Sequence, residues 1–257
     1  MKVVILCGGM GARMKEETEF KPKPLVKIGD KPILWHIMKI YSHYGFSDFI
    51  LCLGYKGEMI KEYFLNYDCM NNDFTIDLGC KNQVKFYGNH CESDWSVTLA
   101  DTGLETNTGG RIKKIQKYVD GETFLATYGD AVGDVNTKKL IEFHKSKGKT
   151  ATITAVHPLS RYGVVEADDD NIVKGFKEKP RLGGWINAGF FVFNKDIFRY
   201  LKEDSVLETA PLETLSEKRE VAVYHHGGFW QCMDTFKDSE LLNRIWNSDN
   251  VPWRVWK

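Results

Sequence analysis

Two sets of side chains in this sequence could act on a charged phosphate compound. The first is VVILCGGMGARM, residues 3–14, followed by Lys21-Pro22-Lys23-Pro24. Glycines after a short apolar run let main-chain N–H groups come close to an anion. Arg13 adds a cation just beyond them, and the prolines limit how far the Lys21 and Lys23 ammonium groups wander. The second set is acidic: Asp130 in TYGDAVGDV and Asp234 in FWQCMDT. Asp130 directly follows a strand-like run, the place where ligands collect in an open parallel sheet, and a carboxylate there can hold Mg²⁺ and, through it, phosphates. Each feature also has a plain structural account. The glycines could form only a turn, and the aspartates could cap a turn or the following helix. The loop is neither a Walker sequence nor a GxGxxG fingerprint.

Three further constellations are Thr108-Gly109-Gly110, Glu178-Lys179-Pro180 and Asn187-Ala188-Gly189. Gly189 would let a ligand approach the backbone, and Asn187 offers both a donor and an acceptor. Alone, the first reads equally as a helix start and the second as an exposed charge pair. Asp168-Asp169-Asp170-Asn171 reads as a hairpin turn in preference to a metal site, since Asp and Asn make the local hydrogen bonds turns require. His36, His144, His225 and His226 fit neither a Ser–His–Asp order nor an HExxH spacing and read as structural. Cys69, Cys80, Cys91 and His90 could gather round a metal, but their irregular spacing is not that of a zinc site. There is no CxxC pair.

The elements that must position these residues follow from periodicity. Strands are expected at residues 3–7, 48–53, 97–101, 122–128, 151–156, 186–194 and 221–225, with the apolar INAGFFVFN run inside the sheet. Helices are expected at 33–44 (closed by Gly45), 57–67, 109–118, 137–147, 208–218 and 236–246. Strand–helix alternation argues for a parallel sheet with helices on both faces. Residues 68–96 break the pattern with short alternating pieces and read as an inserted hairpin region, suited to oligomer contacts or a lid. Residues 163–177 read as a second hairpin. With no repeat or linker, residues 1–257 are expected to form one domain with an insert at about 68–96. The 35 basic and 35 acidic side chains cancel, so nothing supports a nucleic-acid or membrane-surface partner. No apolar run approaches a membrane span and no leader is evident, so a soluble, cytoplasmic protein is expected.

The combination of GGMGAR, KPKP and GDKP in one short span resembles the signature of nucleoside-diphosphate-sugar pyrophosphorylases, the sugar nucleotidyltransferases. Ala12 and Met14 stand where that family usually has Thr and Leu, and Ala131 where it has Gly. The likeness runs through the whole chain, including WHIMKIY, the YKG…IKEYF pairing and the PWRVW tail, and is narrowest to the branch using CTP and glucose 1-phosphate. It implies a Rossmann-like (GT-A-like) α/β fold, with a mixed, mostly parallel sheet flanked by helices and a small β-hairpin insert. It also implies a homo-oligomer whose product, CDP-glucose, serves bacterial surface deoxysugars. For the site it implies Arg13, Lys23 and Asp130 as catalytic groups and Asp130 with Asp234 as Mg²⁺ ligands. Leu6, Gly8, Gly9, Gly11, Ala12, Thr108, Gly109 and Gly110 would lie about the nucleotide, and Glu178, Lys179, Asn187 and Gly189 about the sugar phosphate. A different nucleotide or phosphorylated acceptor, or a non-catalytic nucleotide-sugar-binding regulator on the same fold, are the competing readings. The departures at Ala12, Ala131 and Ala210 leave room for an altered substrate.

Overall fold

The structure, a computed structural model, describes residues 1–79, 83–88, 90–160 and 162–256. Across its main sheet the strands run Val221–His225, Ala151–Val156, Ile186–Asn194, Thr123–Tyr128, Lys2–Cys7, Asp48–Leu53 and Ser96–Asp101. Neighbours pair in parallel, except that Ile186–Asn194 runs antiparallel to both of its own. The sheet is thus mixed and mostly parallel.

The interior strands read as continuous apolar runs because both faces are covered. Val3, Ile5 and Cys7 enter one core, with Ile33, Ile37 and Tyr41 of helix Ile33–His43. Val4 points the other way and meets Ile50, Ile112, Phe124 and Phe191 in a second core. Helix Ile33–His43 ends where Gly45, at φ +89°, takes the left-handed conformation that other residues adopt only at a cost. The helix expected over 57–67 ends at Leu65, and a short second helix, Tyr67–Asn71, takes up the start of the region expected as the hairpin insert. That over 109–118 becomes Thr108–Lys114 and a 3₁₀ turn, Gln116–Tyr118. Ile112 and Ile115 keep the apolar spacing across the second break, which is why pattern alone joined its two parts.

Two hairpins stand off the sheet. Asp73–Asp77 pairs with Gln83–Tyr87, and Val164–Ala167 with Val173–Lys177. At the second turn the Asp168 carboxylate accepts from Asp170 N and, at 2.7 Å, Ile172 N, while Asn171 has φ +62°. The acidic run is a turn. No helix among the described residues is long and apolar enough to cross a membrane. The four histidines are held by structural partners. His36 meets Ile28 O, His144 meets Thr152 and Asn194, His225 stacks on Trp185, and His226 pairs with Asp134.

Candidate active site

A cleft of about 390 Å³ opens at the carboxyl ends of strands Lys2–Cys7 and Thr123–Tyr128, the position expected for a ligand in such a sheet. It is lined by Leu6, Gly8, Gly9, Gly11, Ala12 and Arg13 from the glycine loop and by Lys23, Thr108, Asp130 and Asp234 from elsewhere. Lys23 opens the 3₁₀ turn Lys23–Leu25, with buried Pro24 fixing the turn beneath it. Its Nζ donates to Asp130 Oδ2 at 2.6 Å and to Asp234 Oδ1 at 2.8 Å, and Arg13 donates to the other Asp234 oxygen at 2.8 Å. Burial disfavours the Lys23 ammonium. The two carboxylates outweigh that cost, and the Lys23 pKa ends above its ordinary value.

The two aspartates meet because a short ribbon delivers them. Strand Ala131–Gly133, directly after Asp130, pairs antiparallel with Trp230–Cys232, which ends two residues before Asp234; Met233 N then donates to Asp130 O. The capping account of Asp234 gives way to its neighbour. Thr235 caps helix Phe236–Trp246 in a reciprocal box with Asp238, leaving the Asp234 side chain directed at Lys23 and Arg13. Ala131 is buried in the ribbon and does not line the cleft.

Arg111, which the sequence analysis passed over, supports the glycine loop. Its guanidinium donates to the carbonyls of Gly8, Leu53, Gly103 and Leu104 and to Thr102 Oγ1, and it is almost wholly buried. A Cβ on Gly8 would fall 2.1 Å from that guanidinium, so the glycine makes room for the brace. Thr106, Asn107 and Tyr128 also line the cleft and also went unread. Only the Arg in TGGR, next to Ile112 on a predicted helix, could have hinted at Arg111.

Gly109 and Gly110 are buried but do not line the cleft. A Cβ on Gly110 would fall 2.0 Å from Glu203 O, so that glycine admits the loop over residues 203–205. Asn187 and Gly189 lie behind the cleft wall: Asn187 Nδ2 reaches the Tyr128 hydroxyl at 3.4 Å, and Gly189, at φ +78°, leaves space for the Tyr128 ring. Glu178 and Lys179 are exposed just after strand Val173–Lys177 and do not line the cleft. Among the described residues no group of three or more His, Cys, Asp or Glu could hold a metal. His90 is committed to Asp68 at 2.8 Å, and Cys80 of the cysteine reading lies outside the described residues.

Residues 2–238 match the nucleotidyl transferase family model. Over the full length of both chains the protein is 46% identical to a probable glucose-1-phosphate cytidylyltransferase of Bacillus subtilis (strain 168) and 47% identical to the glucose-1-phosphate cytidylyltransferase of Salmonella typhi. The fold aligns with HddC from Yersinia pseudotuberculosis at a TM-score of 0.68 and 24% identity, covering 96% of this chain and 99% of that one. This chain belongs to the nucleotidyl transferase family.

Proposed function

We propose that the protein transfers the cytidylyl group of CTP to α-D-glucose 1-phosphate in the cytoplasm, giving CDP-glucose and pyrophosphate. The observation that carries this reading is identity of 46–47% over the entire chain to relatives named for that activity. The cleft supplies chemistry to match.

Both reactants are anions, so repulsion is the first obstacle. Arg13, Lys23, Asp130 and Asp234 sum to zero charge, and a polyphosphate can enter only as cations come with it or are released to it. The Asp130 and Asp234 oxygens converge on one Nζ, at 2.6 and 2.8 Å. A pair of carboxylates fits Mg²⁺, which keeps waters and takes substrate phosphates instead of a full protein cage. Mg²⁺ held there would neutralise phosphate charge. Lys23, released from the carboxylates, would meet the α-phosphate, and the largely exposed Arg13 the departing pyrophosphate. A sugar-phosphate oxygen forms a bond to the α-phosphorus, the bond from that phosphorus to the bridging oxygen breaks, and pyrophosphate leaves with the electron pair. The attacking oxygen is already ionised at neutral pH, so no general base is required. Positioning and electrostatics carry the step. A part for Lys179 on the acceptor phosphate requires its hairpin to close over the cleft.

Self-association is the second element of the proposal. Phe74, Ile76, Val84 and Phe86 are exposed on hairpin Asp73–Asp77/Gln83–Tyr87, and a lone two-stranded hairpin is marginal in water. A second copy of this chain would cover them, and light scattering reads the result directly.

The function is tested by incubating the protein with each of the four NTPs, glucose 1-phosphate and Mg²⁺, and following pyrophosphate. Release with CTP alone, stopped by EDTA and restored by Mg²⁺, is expected. Release with another NTP would reassign the donor, and none with any sugar phosphate would favour a regulatory protein.

A further inference from the structure

We infer that Glu208 is a positioning residue that sets the spacing between the nucleotide side and the acceptor side of the cleft, an inference that rests on the nucleotidyl-transfer reading above. Its two carboxylate oxygens are used on two different walls. One accepts from Thr108 Oγ1 at 2.7 Å, and the other accepts from the Tyr128 hydroxyl. Thr108 begins helix Thr108–Lys114, and its hydroxyl also accepts from Leu207 N at 2.9 Å. Tyr128 ends strand Thr123–Tyr128, two residues before Asp130. Both residues line the cleft, whereas Glu208 stands behind them and does not.

The Tyr128 ring carries the linkage further. Its hydroxyl receives Asn187 Nδ2, and the ring lies where a side chain on residue 189 would be, 2.2 Å from a Cβ built on Gly189. Gly189 N in turn donates to Asn187 Oδ1 at 2.8 Å. Glu208 thus joins the helix start at the nucleotide loop to the tyrosine and to the turn behind it.

A carboxylate is suited to this task because it accepts from two hydroxyls at once without donating. Beside a site for anions it would otherwise be a liability. Placing it behind the wall, with each oxygen engaged by a hydroxyl, keeps its charge away from the phosphates. In-line transfer between two bound anions is sensitive to small errors of placement, of the order of 10²-fold for about 1 Å.

The test compares wild type, Glu208→Ala, Glu208→Gln, Tyr128→Phe and the Glu208→Ala/Tyr128→Phe pair in steady-state kinetics, each with a thermal unfolding curve. Glu208→Ala is expected to lower kcat about 100-fold while the KM for CTP changes far less. Glu208→Gln keeps one acceptor oxygen and should fall between Ala and wild type, and it serves as the test if the Ala variant does not fold. The double variant should be no slower than Glu208→Ala alone, because both changes cut one linkage. Wild-type kcat in Glu208→Ala, a Gln variant no better than Ala, or fully additive losses in the double variant would each overturn the positioning role. An inactive wild type would instead overturn the nucleotidyl-transfer reading itself.

Discussion

Two clusters in this protein join segments more than two hundred residues apart, and they do so by opposite means. At the cleft Lys23 bonds Asp234 across 211 positions of sequence. On the far side of helix Phe236–Trp246, Trp253 Nε1 reaches His36 Nδ1 at 3.5 Å across 217 positions. The first cluster is charged, balanced and partly open. The second is aromatic and closed: His36 and Trp253 are both 0% exposed, and His36 is ringed by Trp35, Trp246, Trp253 and Trp256. One helix connects them, beginning beside Asp234 at its Thr235 cap and ending with Trp246 against His36. The burial that stabilises the fold and the charges that line the cleft are therefore kept apart, at opposite ends of one helix.

The sharpest way to break the contrast is Asp130→Asn. It removes one charge of the open cluster and is expected to lower kcat by about 10²–10³-fold, with the unfolding midpoint close to wild type. Trp253→Ala should do the reverse, costing about 3–5 kcal/mol in urea unfolding, with kcat per folded molecule largely retained. If either substitution damaged both properties equally, the division between the clusters would be wrong.

Acid sharpens the comparison further. Burial holds the His36 pKa down at about 4, below the 6.5 of an exposed imidazole, so the fold carries the neutral ring. Above pH 6.5 neither state is protonated and no penalty arises. As pH falls from 6.5 to 4 the unfolded chain takes up the proton first, and stability drops by about 3 kcal/mol. Unfolding measured at pH 7 and pH 4 should show this loss in wild type beyond that in His36→Gln. An equal loss in both would remove His36 as the cause. The smallest effect is expected at the surface. Asp168→Ala, at the hairpin turn, should cost about 1 kcal/mol or less and leave turnover unchanged.

Much of this was legible in the residues. The strands Asp48–Leu53, Ala151–Val156 and Ile186–Asn194 and the helices Thr137–Lys147 and Phe236–Trp246 coincide with the runs expected from periodicity, because each buries one continuous apolar stripe or run. The glycine loop, Lys23 and the two aspartates stood out by type and context. Arg111 did not, since all but one of its partners are main-chain carbonyls, which carry no signal in a list of side chains. Glu208 was hidden for a related reason: its partners Thr108 and Tyr128 lie 100 and 80 positions away. For Gly109 and Gly110 the type was read but the reason was not, because most of the atoms that exclude a side chain belong to Leu201, Glu203 and Ser205, far along the chain.

The sequence by itself determined the order of strands and helices and the chemical groups available, because both follow from local propensity and side-chain type. Only the tertiary structure decided which groups meet. Strand pairing set Asp130 beside Asp234, and chain packing turned Lys23 toward both. The fold also left Glu178 and Lys179 exposed and outside the cleft, just after a hairpin whose strands pair with each other and not with the main sheet.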